Sequence, residues 1–484
     1  MQALTDRLLR SWLRCRRRAW LDRHGDPSLR RWTAHRALQL QDQLRSFQTL
    51  LPSRPGHGEA ACVAGAEGVV GLRLGDTMAS GLRVEAHPPL LLRVEGASRW
   101  GDHRYRPVLA RQGRRLTRDQ RLQLTLWGQL LEAYQQAPVP NALVVAGAGT
   151  SLERDTLALA PSLQSQLQES LQRLAVDLGR SDPPELVNDR KKCVLCSWRG
   201  LCDQEASAVG HLSEVSGVGG KRRDLLLGLG LATVSDLAAA DPEQLADQLE
   251  AHGEQHREAA LALVDQARVQ VAGVPRRRLA GPVLPELERA PGVLLYDIES
   301  DPDARDDFLH GFVLLRRGAD RSWPEAATAR YQPLLARYEH GEARLWRRLS
   351  ALLERYPDWP VLHYGETEVL TLLRMAQRQG ASAAAQARLR ARCLDVHQRL
   401  RQHWLLPVNS YGLKAVAQWI GFRWSQSGVD GARALLWWRQ WRLGDPRRPS
   451  PARHDNLRRI FRYNRDDNLA TWAVVSWLLR PPEG

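Results

Sequence analysis

The sequence has little of what marks membrane, secreted or disulfide-rich proteins. Its 484 residues include six cysteines, too few for the disulfide framework of a small secreted domain. No stretch approaches the roughly 18 uncharged apolar residues that a transmembrane helix needs. Residues 1–20 are amphipathic and rich in arginine, without the apolar core of a secretory signal peptide. These absences lead us to expect a soluble, cytoplasmic protein that has no membrane partner.

Acidic side chains are in the minority. Asp and Glu number 54 against 69 Lys and Arg, which gives a net charge of +15. Most of the positive charge is arginine, whose guanidinium group suits phosphate better than the lysine ammonium does. The excess favours a polyanionic partner, although a solvated basic surface would have the same composition. The 43% hydrophobic content is ample for globular cores, and the length predicts about two to four domains.

Two carboxylates one residue apart, Asp297 and Glu299, follow the apolar run 292–296. On a strand, residues i and i+2 point to the same face, so both side chains would project from one buried strand. Acidic groups in that position repel each other unless a cation lies between them. Mg²⁺ and Mn²⁺ prefer carboxylate oxygens. The pattern predicts a metal site, and the alternative is a strand end followed by a solvated acidic turn.

Further acidic residues lie downstream in patterned segments. Residues 308–315 predict a second strand antiparallel to the first. Residues 359–365 predict another strand and turn before a helix over 366–378, with Glu368 in its first turn, where the helix dipole favours a carboxylate. Tyr463 and Asp467 are four residues apart in a later predicted helix and therefore share one helical face.

These motifs, in this order, resemble the DEDD exonucleases of the RNase H-like fold, in the version whose third motif is Tyr-x-x-x-Asp. The resemblance implies that Asp297, Glu299, Glu368 and Asp467 hold two divalent ions, Mg²⁺ or Mn²⁺, and that Tyr463 orients the attacking water. It implies two-metal hydrolysis of a phosphodiester, in which one ion generates hydroxide and both stabilise the attacking and leaving oxygens. Release of nucleotides from a 3′ end is the expected outcome.

The second motif departs from the family pattern. Glu368 stands where the family has Asp. Asp395, further along the chain, could supply the missing carboxylate instead. Both residues therefore remain candidate metal ligands.

A separate cysteine motif lies in the N-terminal half. Cys193, Cys196 and Cys202 form C-x₂-C-x₅-C, and Cys15 lies far upstream in an arginine-rich segment. Four thiolates complete a soft site for Zn²⁺ or for an iron–sulfur cluster. The alternative for the local C-x₂-C is a redox pair or chance. The other two cysteines, at positions 62 and 393, are predicted to be buried or free thiols.

One early and three late cysteines resemble the iron–sulfur arrangement of RecB-like nucleases, a group that includes AddB and CRISPR-associated exonucleases. The resemblance implies a PD-(D/E)XK α/β domain over residues 1–205 whose two ends are tied together by the cluster, with [4Fe–4S] favoured over zinc. Gln123 to Trp127 is similar to the Q-x-x-x-Y motif of that family, with Trp in place of Tyr.

The catalytic motif of that family is degraded. The (D/E)-x-K positions are Leu109, Ala110 and Arg111, and the upstream Asp is replaced within residues 87–92. Such a site needs acids for metal and a lysine that positions water, and neither leucine nor proline can serve. We therefore expect a domain that keeps its fold and cluster, has lost catalysis and binds nucleic acid.

Residues 206–275 resemble a helix–hairpin–helix module. Its glycine hairpin would let backbone N–H groups approach a phosphate, and basic side chains follow at once. Binding of this kind is to the nucleic-acid backbone and independent of sequence. The alternative is a helical hairpin that only packs two domains together. The candidate contact residues are Gly217, Gly219, Gly220, Lys221, Arg222 and Arg223.

The whole chain resembles RecB-like nucleases that carry a C-terminal DEDD domain. The expected fold is α/β and multidomain: a degenerate RecB-like domain, a small all-α module over 206–275, and an RNase H-like domain with a mixed sheet over 280–484. The expected function is a metal-dependent 3′–5′ exonuclease that acts on DNA, with RNA as an open alternative. The rival is a non-catalytic iron–sulfur scaffold that binds nucleic acid in a repair or processing complex.

Overall fold

The computed structural model describes residues 2–78, 80–111, 115–148, 151–187, 190–302, 306–326, 329–336, 341–443 and 451–480. The chain divides into two units, Met1–Val187 with Lys192–Asp203, and Asn188–Lys191 with Gln204–Gly484. Of the helices in these described ranges, none has both the length and the apolar character needed to cross a membrane.

The first unit combines two sheets with helices. Its strands are β1 (Leu4–Thr5), β2 (Gly56–His57), β3 (Gly68–Val70), β4 (Leu74–Thr77), β5 (Arg83–Ala86), β6 (Leu91–Ser98), β7 (Gly101–Ala110), β8 (Asn141–Ala148) and β9 (Ser151–Ala158). Its helices are α1 (Asp6–Arg14), α2 (Arg16–His24), α3 (Ala34–Leu50), α4 (Gly58–Val63), α5 (Arg118–Gln135), α6 (Pro161–Leu178) and α7 (Arg199–Ala208), the last of which runs on into the second unit.

The larger sheet has the order β2-β3-β6-β7-β8-β9 and the smaller one β1-β5-β4, each with parallel and antiparallel pairs. Helix α5 packs into the main core of this unit. It begins at a capping box in which Thr117 and Gln120 satisfy each other's backbone N–H groups. Leu122, Leu126 and Leu130 recur at helical spacing and are buried.

The second unit begins with short helices: α8 (Gly220–Gly228), α9 (Val234–Ala239), α10 (Pro242–Glu250), α11 (Glu254–Arg257) and α12 (Ala260–Ala272). Thr233 and Asp241 act as N-caps of α9 and α10, as their positions before helical patterns predict. Leu226, Leu237 and Leu263 meet in a small core of their own.

The rest of the second unit surrounds one mixed sheet. Its strands are β10 (Arg276–Arg277), β11 (Gly292–Asp301), β12 (Asp306–Arg316), β13 (Arg330–Leu335), β14 (Val361–His363), β15 (Cys393–Asp395) and β16 (Trp404–Leu405). Its helices are α13 (Glu342–Arg355), α14 (Glu366–Arg378), α15 (Ala383–Arg392), α16 (Val396–His403), α17 (Leu413–Trp419), α18 (Gly431–Leu443) and α19 (Pro451–Leu478).

The five-stranded sheet has the order β13-β12-β11-β14-β15. Central β11 pairs antiparallel with β12 and parallel with β14, so the predicted antiparallel strand over 308–315 is confirmed. Alternation along β11 builds a core on each face. Leu294 and Tyr296 pack with the α13 and α14 side, while Val293 and Leu295 pack with α16, α17 and α19.

Candidate metal centre and nucleic-acid-binding elements

The acidic residues of β11 face the long helix α19. Asp297 and Glu299 continue the alternation that points Val293 and Leu295 toward that helix. Asp467 lies on the buried side of α19, and each of the three offers a carboxylate oxygen within 4.8 Å of the other two. Among the described residues, this is the one set of three or more His, Cys, Asp or Glu side chains that converges so closely. We call it the acidic triad.

Glycine in β12 lets α19 approach the sheet at the triad. Gly311 pairs with Asp297 across the strands, and a Cβ at this position would lie 1.6 Å from Asn464 Oδ1. Asn464 is fully buried; its Nδ2 donates to Asp297 Oδ2 at 2.7 Å, and its Oδ1 accepts from the Tyr331 hydroxyl at 3.0 Å. The amide therefore fixes the orientation of one triad carboxylate.

The triad concentrates negative charge in a buried place. Glu299 is 6% exposed and Asp467 8%. Burial, and then repulsion by Asp467 and Glu299, raises the pKa of Asp297 well above its usual value. Burial and repulsion by Asp467 raise the pKa of Glu299 in the same direction, and burial raises the pKa of Asp467 to about 6. A divalent cation would relieve this repulsion, so the donor set fits Mg²⁺ or Mn²⁺.

Tyr463 adds a protonated hydroxyl beside the carboxylates. It is buried and donates a side-chain hydrogen bond to Asp467. Burial, and then the charges of Asp467 and Glu299, hold the pKa of Tyr463 far above its usual value. Lys414 of α17 lies over the Tyr463 ring, with Nζ 5.2 Å from the centroid, and donates to the Val429 carbonyl at 2.6 Å. Its charge acts against the repulsion within the triad.

The loop 421–430 is anchored on two adjacent carboxylates of α19. The indole Nε1 of Trp424 donates to Asp467 Oδ1 at 2.6 Å. The backbone N–H and hydroxyl of Ser425 donate to Asp466 Oδ2 at 2.8 and 2.6 Å. Sequence reasoning missed Asn464, Lys414 and Trp424. A signal was present for Asn464 alone, because it is a polar residue on the buried face of a helix.

The two candidates for the second motif have different surroundings. Glu368 is half-buried in the first turn of α14, and burial raises its pKa to about 7. Its charge contributes to the raised pKa of Asp297. Asp395 is the N-cap of α16, and its Oδ1 accepts from the N–H groups of Gln398 and Gly365 at 3.1 Å each. Neither residue belongs to the set of carboxylates whose oxygens lie within 4.8 Å of one another. The charge of Glu368 nevertheless helps to raise the pKa of Asp297.

The predicted cysteine set lies within the first unit. Cys15 is the N-cap of α2, and its sulfur accepts from the Arg18 N–H at 3.4 Å. Burial raises the pKa of both Cys15 and Cys202, and the charge of Cys196 adds to each shift. Cys193 lies in the 3₁₀ helix Arg190–Leu195. The thiols of Cys15, Cys196 and Cys202 are therefore neighbours, although within the described part of the chain no three cysteine sulfurs lie within 4.8 Å of one another.

An arginine, Arg111, stands in the degraded motif at the end of β7 and forms ion pairs with two acidic residues. Leu109 is buried, and Arg111 Nη2 lies 3.1 Å from carboxylate oxygens of both Glu153 and Asp155 on β9. Gln123 and Trp127 of α5 both donate to the buried Asp6 Oδ2, at 3.3 and 2.9 Å. These contacts tie α5 to the start of α1.

The glycine hairpin precedes α8. Gly217 has φ of +99°, a conformation that other residues rarely adopt, and Gly219 and Gly220 form the N-cap and first residue of the helix. Arg222 donates to the carbonyls of Gly217 and Gln255, at 2.9 and 3.1 Å, so its guanidinium joins two parts of the module. Of the other basic residues, Lys221 is exposed and Arg223 is half-buried.

Comparison with known proteins agrees with this geometry in the C-terminal domain. Residues 294–479 match the model of the RNase_H superfamily, over the segment that carries the triad. Comparison with curated proteins found no match. The chain thus has a mixed α/β, multidomain fold with an RNase H-like domain, which indicates a nucleic-acid hydrolase of the nuclease type. Nucleases of this fold generally use divalent metals such as Mg²⁺, in keeping with the acidic triad.

Proposed function

We propose that the chain is a metal-dependent 3′–5′ exonuclease that acts on DNA, with RNA as the second candidate substrate. The observation that carries the proposal is the convergence of Asp297, Glu299 and Asp467 within 4.8 Å in an RNase H-like domain. The chemistry would lie in the domain over 280–484. A cytoplasmic location remains a prediction from the sequence.

The triad, with Glu368 alongside, would hold the divalent ions. When bound, such ions supply Lewis-acid stabilisation of the charge that develops in phosphodiester hydrolysis. The chain's own residues prepare the site: Asn464 holds Asp297 through a 2.7 Å hydrogen bond, and Trp424 holds Asp467 through one of 2.6 Å. Tyr463 keeps its proton and would orient a water beside Asp467.

The N-terminal unit is proposed to bind nucleic acid without cleaving it. Its degraded motif offers Leu109 and Arg111, and the latter is already held by Glu153 and Asp155. The module over 206–275 would add backbone contacts through its glycine hairpin and the exposed Lys221, while Arg222 supports the hairpin.

An iron–sulfur cluster is proposed for Cys15, Cys193, Cys196 and Cys202. Cys15, Cys196 and Cys202 lie close enough for each thiolate to affect the pKa of another, and four thiolates are the ligand set that such a cluster takes. Anaerobic purification with iron and sulfide analysis tests this, with Cys196→Ala expected to lose both and Cys393→Ala to keep both.

The deciding experiment is degradation of end-labelled single-stranded DNA and RNA with Mn²⁺, by wild type and by Asp297→Asn. Wild type should give a ladder that shortens from the 3′ end, and the variant none. Binding without cleavage by either protein would instead favour the non-catalytic scaffold, for which the exclusion of Glu368 from the close triad is the supporting observation. Cleavage that survives Asp297→Asn would place the chemistry elsewhere.

A further inference from the structure

Aromatic side chains lead away from the triad along the loop 421–430. Trp424 is half-buried, and its indole N–H donates a hydrogen bond to Asp467. Its ring meets Phe422 edge to face, with centroids 4.9 Å apart. The loop is held at Trp424 and Ser425 by α19 and at Val429 by Lys414. These contacts fix both aromatic rings relative to the triad.

Phe422 also forms part of the wall of a cavity of about 320 Å³ on the side of α19. The lining is mainly aromatic and aliphatic. A volume at the lower end of the range for small-molecule sites suits a single heterocyclic base. The lining residues that matter here are Glu325, Phe422, Trp472, Ser476 and Arg480.

Basic groups accompany these aromatic rings. Arg423 lies between Phe422 and Trp424 in the sequence and is exposed, with its guanidinium on the carbonyls of Gln418 and Phe422 at 3.3 and 3.2 Å. Arg480 is exposed and lines the cavity. The lining contains one acidic residue, Glu325, which takes part in another polar or electrostatic interaction. Aromatic faces interleaved with arginine are what single-stranded nucleic acid requires, since bases stack and phosphates need positive charge.

We infer that Trp424, Phe422 and the cavity form a track for unpaired bases next to the acidic triad. The base beside the scissile phosphate rests on Trp424, and a neighbouring base enters the cavity next to Phe422. Stacking uses the π-face that every base has, so the track accepts single strands of any sequence. Bases in a duplex are already stacked and paired, and the track does not take them. The inference rests on the proposed function, because it specifies the substrate of that same site.

The test measures binding separately from cleavage. Short single-stranded DNA carrying the fluorescent base 2-aminopurine at or near its 3′ end is titrated with the full-length protein in EDTA. Wild type should quench the fluorescence. Trp424→Leu should weaken binding about tenfold and lose the quenching. Trp424→Phe keeps an aromatic ring and should retain most of the affinity and most of the quenching. Ser476→Phe, which fills the cavity, should weaken binding of a hexanucleotide about tenfold and leave a dinucleotide unaffected.

A matched control is Trp346→Leu, which removes another half-buried tryptophan of the same domain, on α13, and should bind like wild type. Equal affinity of wild type, Trp424→Leu and Ser476→Phe for the hexanucleotide would overturn the track, even if the protein cleaves DNA. Quenching that depends on Trp424 in a protein that never cleaves would support the track and refute the exonuclease. If Trp424→Leu fails to fold, Ser476→Phe and Trp424→Phe still decide.

Discussion

Buried carboxylates have opposite electrostatic surroundings in the two units, and their pKa values shift in opposite directions. In the first unit, Asp177 accepts hydrogen bonds from Arg16 and from the Trp12 indole. Burial works to raise its pKa, but these bonds outweigh burial and leave the pKa below its usual value. In the RNase H-like domain, burial and the charges of Asp467, Glu299 and Glu368 raise the pKa of Asp297. The first carboxylate is neutralised by partners within the chain, whereas the second is in a set that a divalent cation would neutralise.

The same contrast, between charges that are paired and like charges that are clustered, is seen in the two strands that carry sequences similar to nuclease motifs. At the end of β7 the chain has Leu109 and Arg111, with Arg111 paired to two acids of β9. In the C-terminal half of β11 it has Asp297 and Glu299, which lie close to a third carboxylate, that of Asp467. Paired charges contribute to folding, whereas clustered like charges cost stability that protonation or a bound cation returns. This repulsion is the reason that we propose the metal site on β11 and none on β7.

The largest expected effect is on catalysis by Asp467→Asn. Removing one charge from the triad should cost several kcal/mol of transition-state stabilisation, a rate lower by roughly a thousandfold. The measurement is single-turnover cleavage of labelled single-stranded DNA in Mn²⁺. Asp455→Asn, on the same helix but half exposed and paired with Arg459, is the matched control and should cleave normally. Equal losses in both variants would mean that damage to α19, rather than the triad, explains the result.

The metal-free protein should lose stability as the pH rises through the range of the triad. The pKa of Asp467 is about 6 in the folded state against 3.8 for an ordinary Asp, so the folded state binds the proton more tightly. This contribution is complete below about pH 4 and disappears as the pH passes about 6, a change of about 3 kcal/mol. Urea unfolding in EDTA should show this fall in unfolding free energy for wild type and a smaller fall for Asp467→Asn. Adding Mg²⁺ at neutral pH should restore stability to wild type; no response would argue against a metal site.

In the first unit the matching substitution should affect folding alone. Asp177→Asn keeps an acceptor for Trp12 but removes the charge that faces Arg16. Because Arg16 is 57% exposed and partly screened, we expect a loss of about 2 kcal/mol rather than the full value of a buried pair. Thermal unfolding measures the loss, and DNA cleavage at a permissive temperature should be unchanged. Impaired cleavage by the folded variant would show that catalysis depends on this unit.

Local patterns in the sequence were sufficient for much of the C-terminal fold. The apolar run before Asp297 predicts a buried strand, and the spacing of Tyr463 and Asp467 predicts one helical face. The helix predicted over 366–378 is confirmed as α14, Glu366–Arg378. These predictions hold because strand alternation and helical spacing are properties of neighbouring residues.

Contacts between distant segments could not be predicted in this way. Gly311 is required because Asn464, 153 positions later, passes so close to it. Asp395 has the right chemistry for a ligand, yet it caps α16 and binds the turn at Gly365. Arg222 was predicted to add charge near a phosphate, which remains a prediction, and its hydrogen bond to the Gly217 carbonyl could not be read from the sequence. In each case a polar group met a partner that only the folded chain supplies.

The smallest expected effect belongs to Arg111→Met at the degraded strand end. The arginine is buried, but Glu153 and Asp155 are 59% and 62% exposed and can return to water when it is removed. The loss in unfolding free energy should therefore be about 1 kcal/mol or less, and cleavage of DNA should be unchanged. Thermal unfolding and the cleavage assay measure both. If Arg111→Met abolished cleavage while Asp467→Asn did not, the assignment of the two strand ends would have to be reversed.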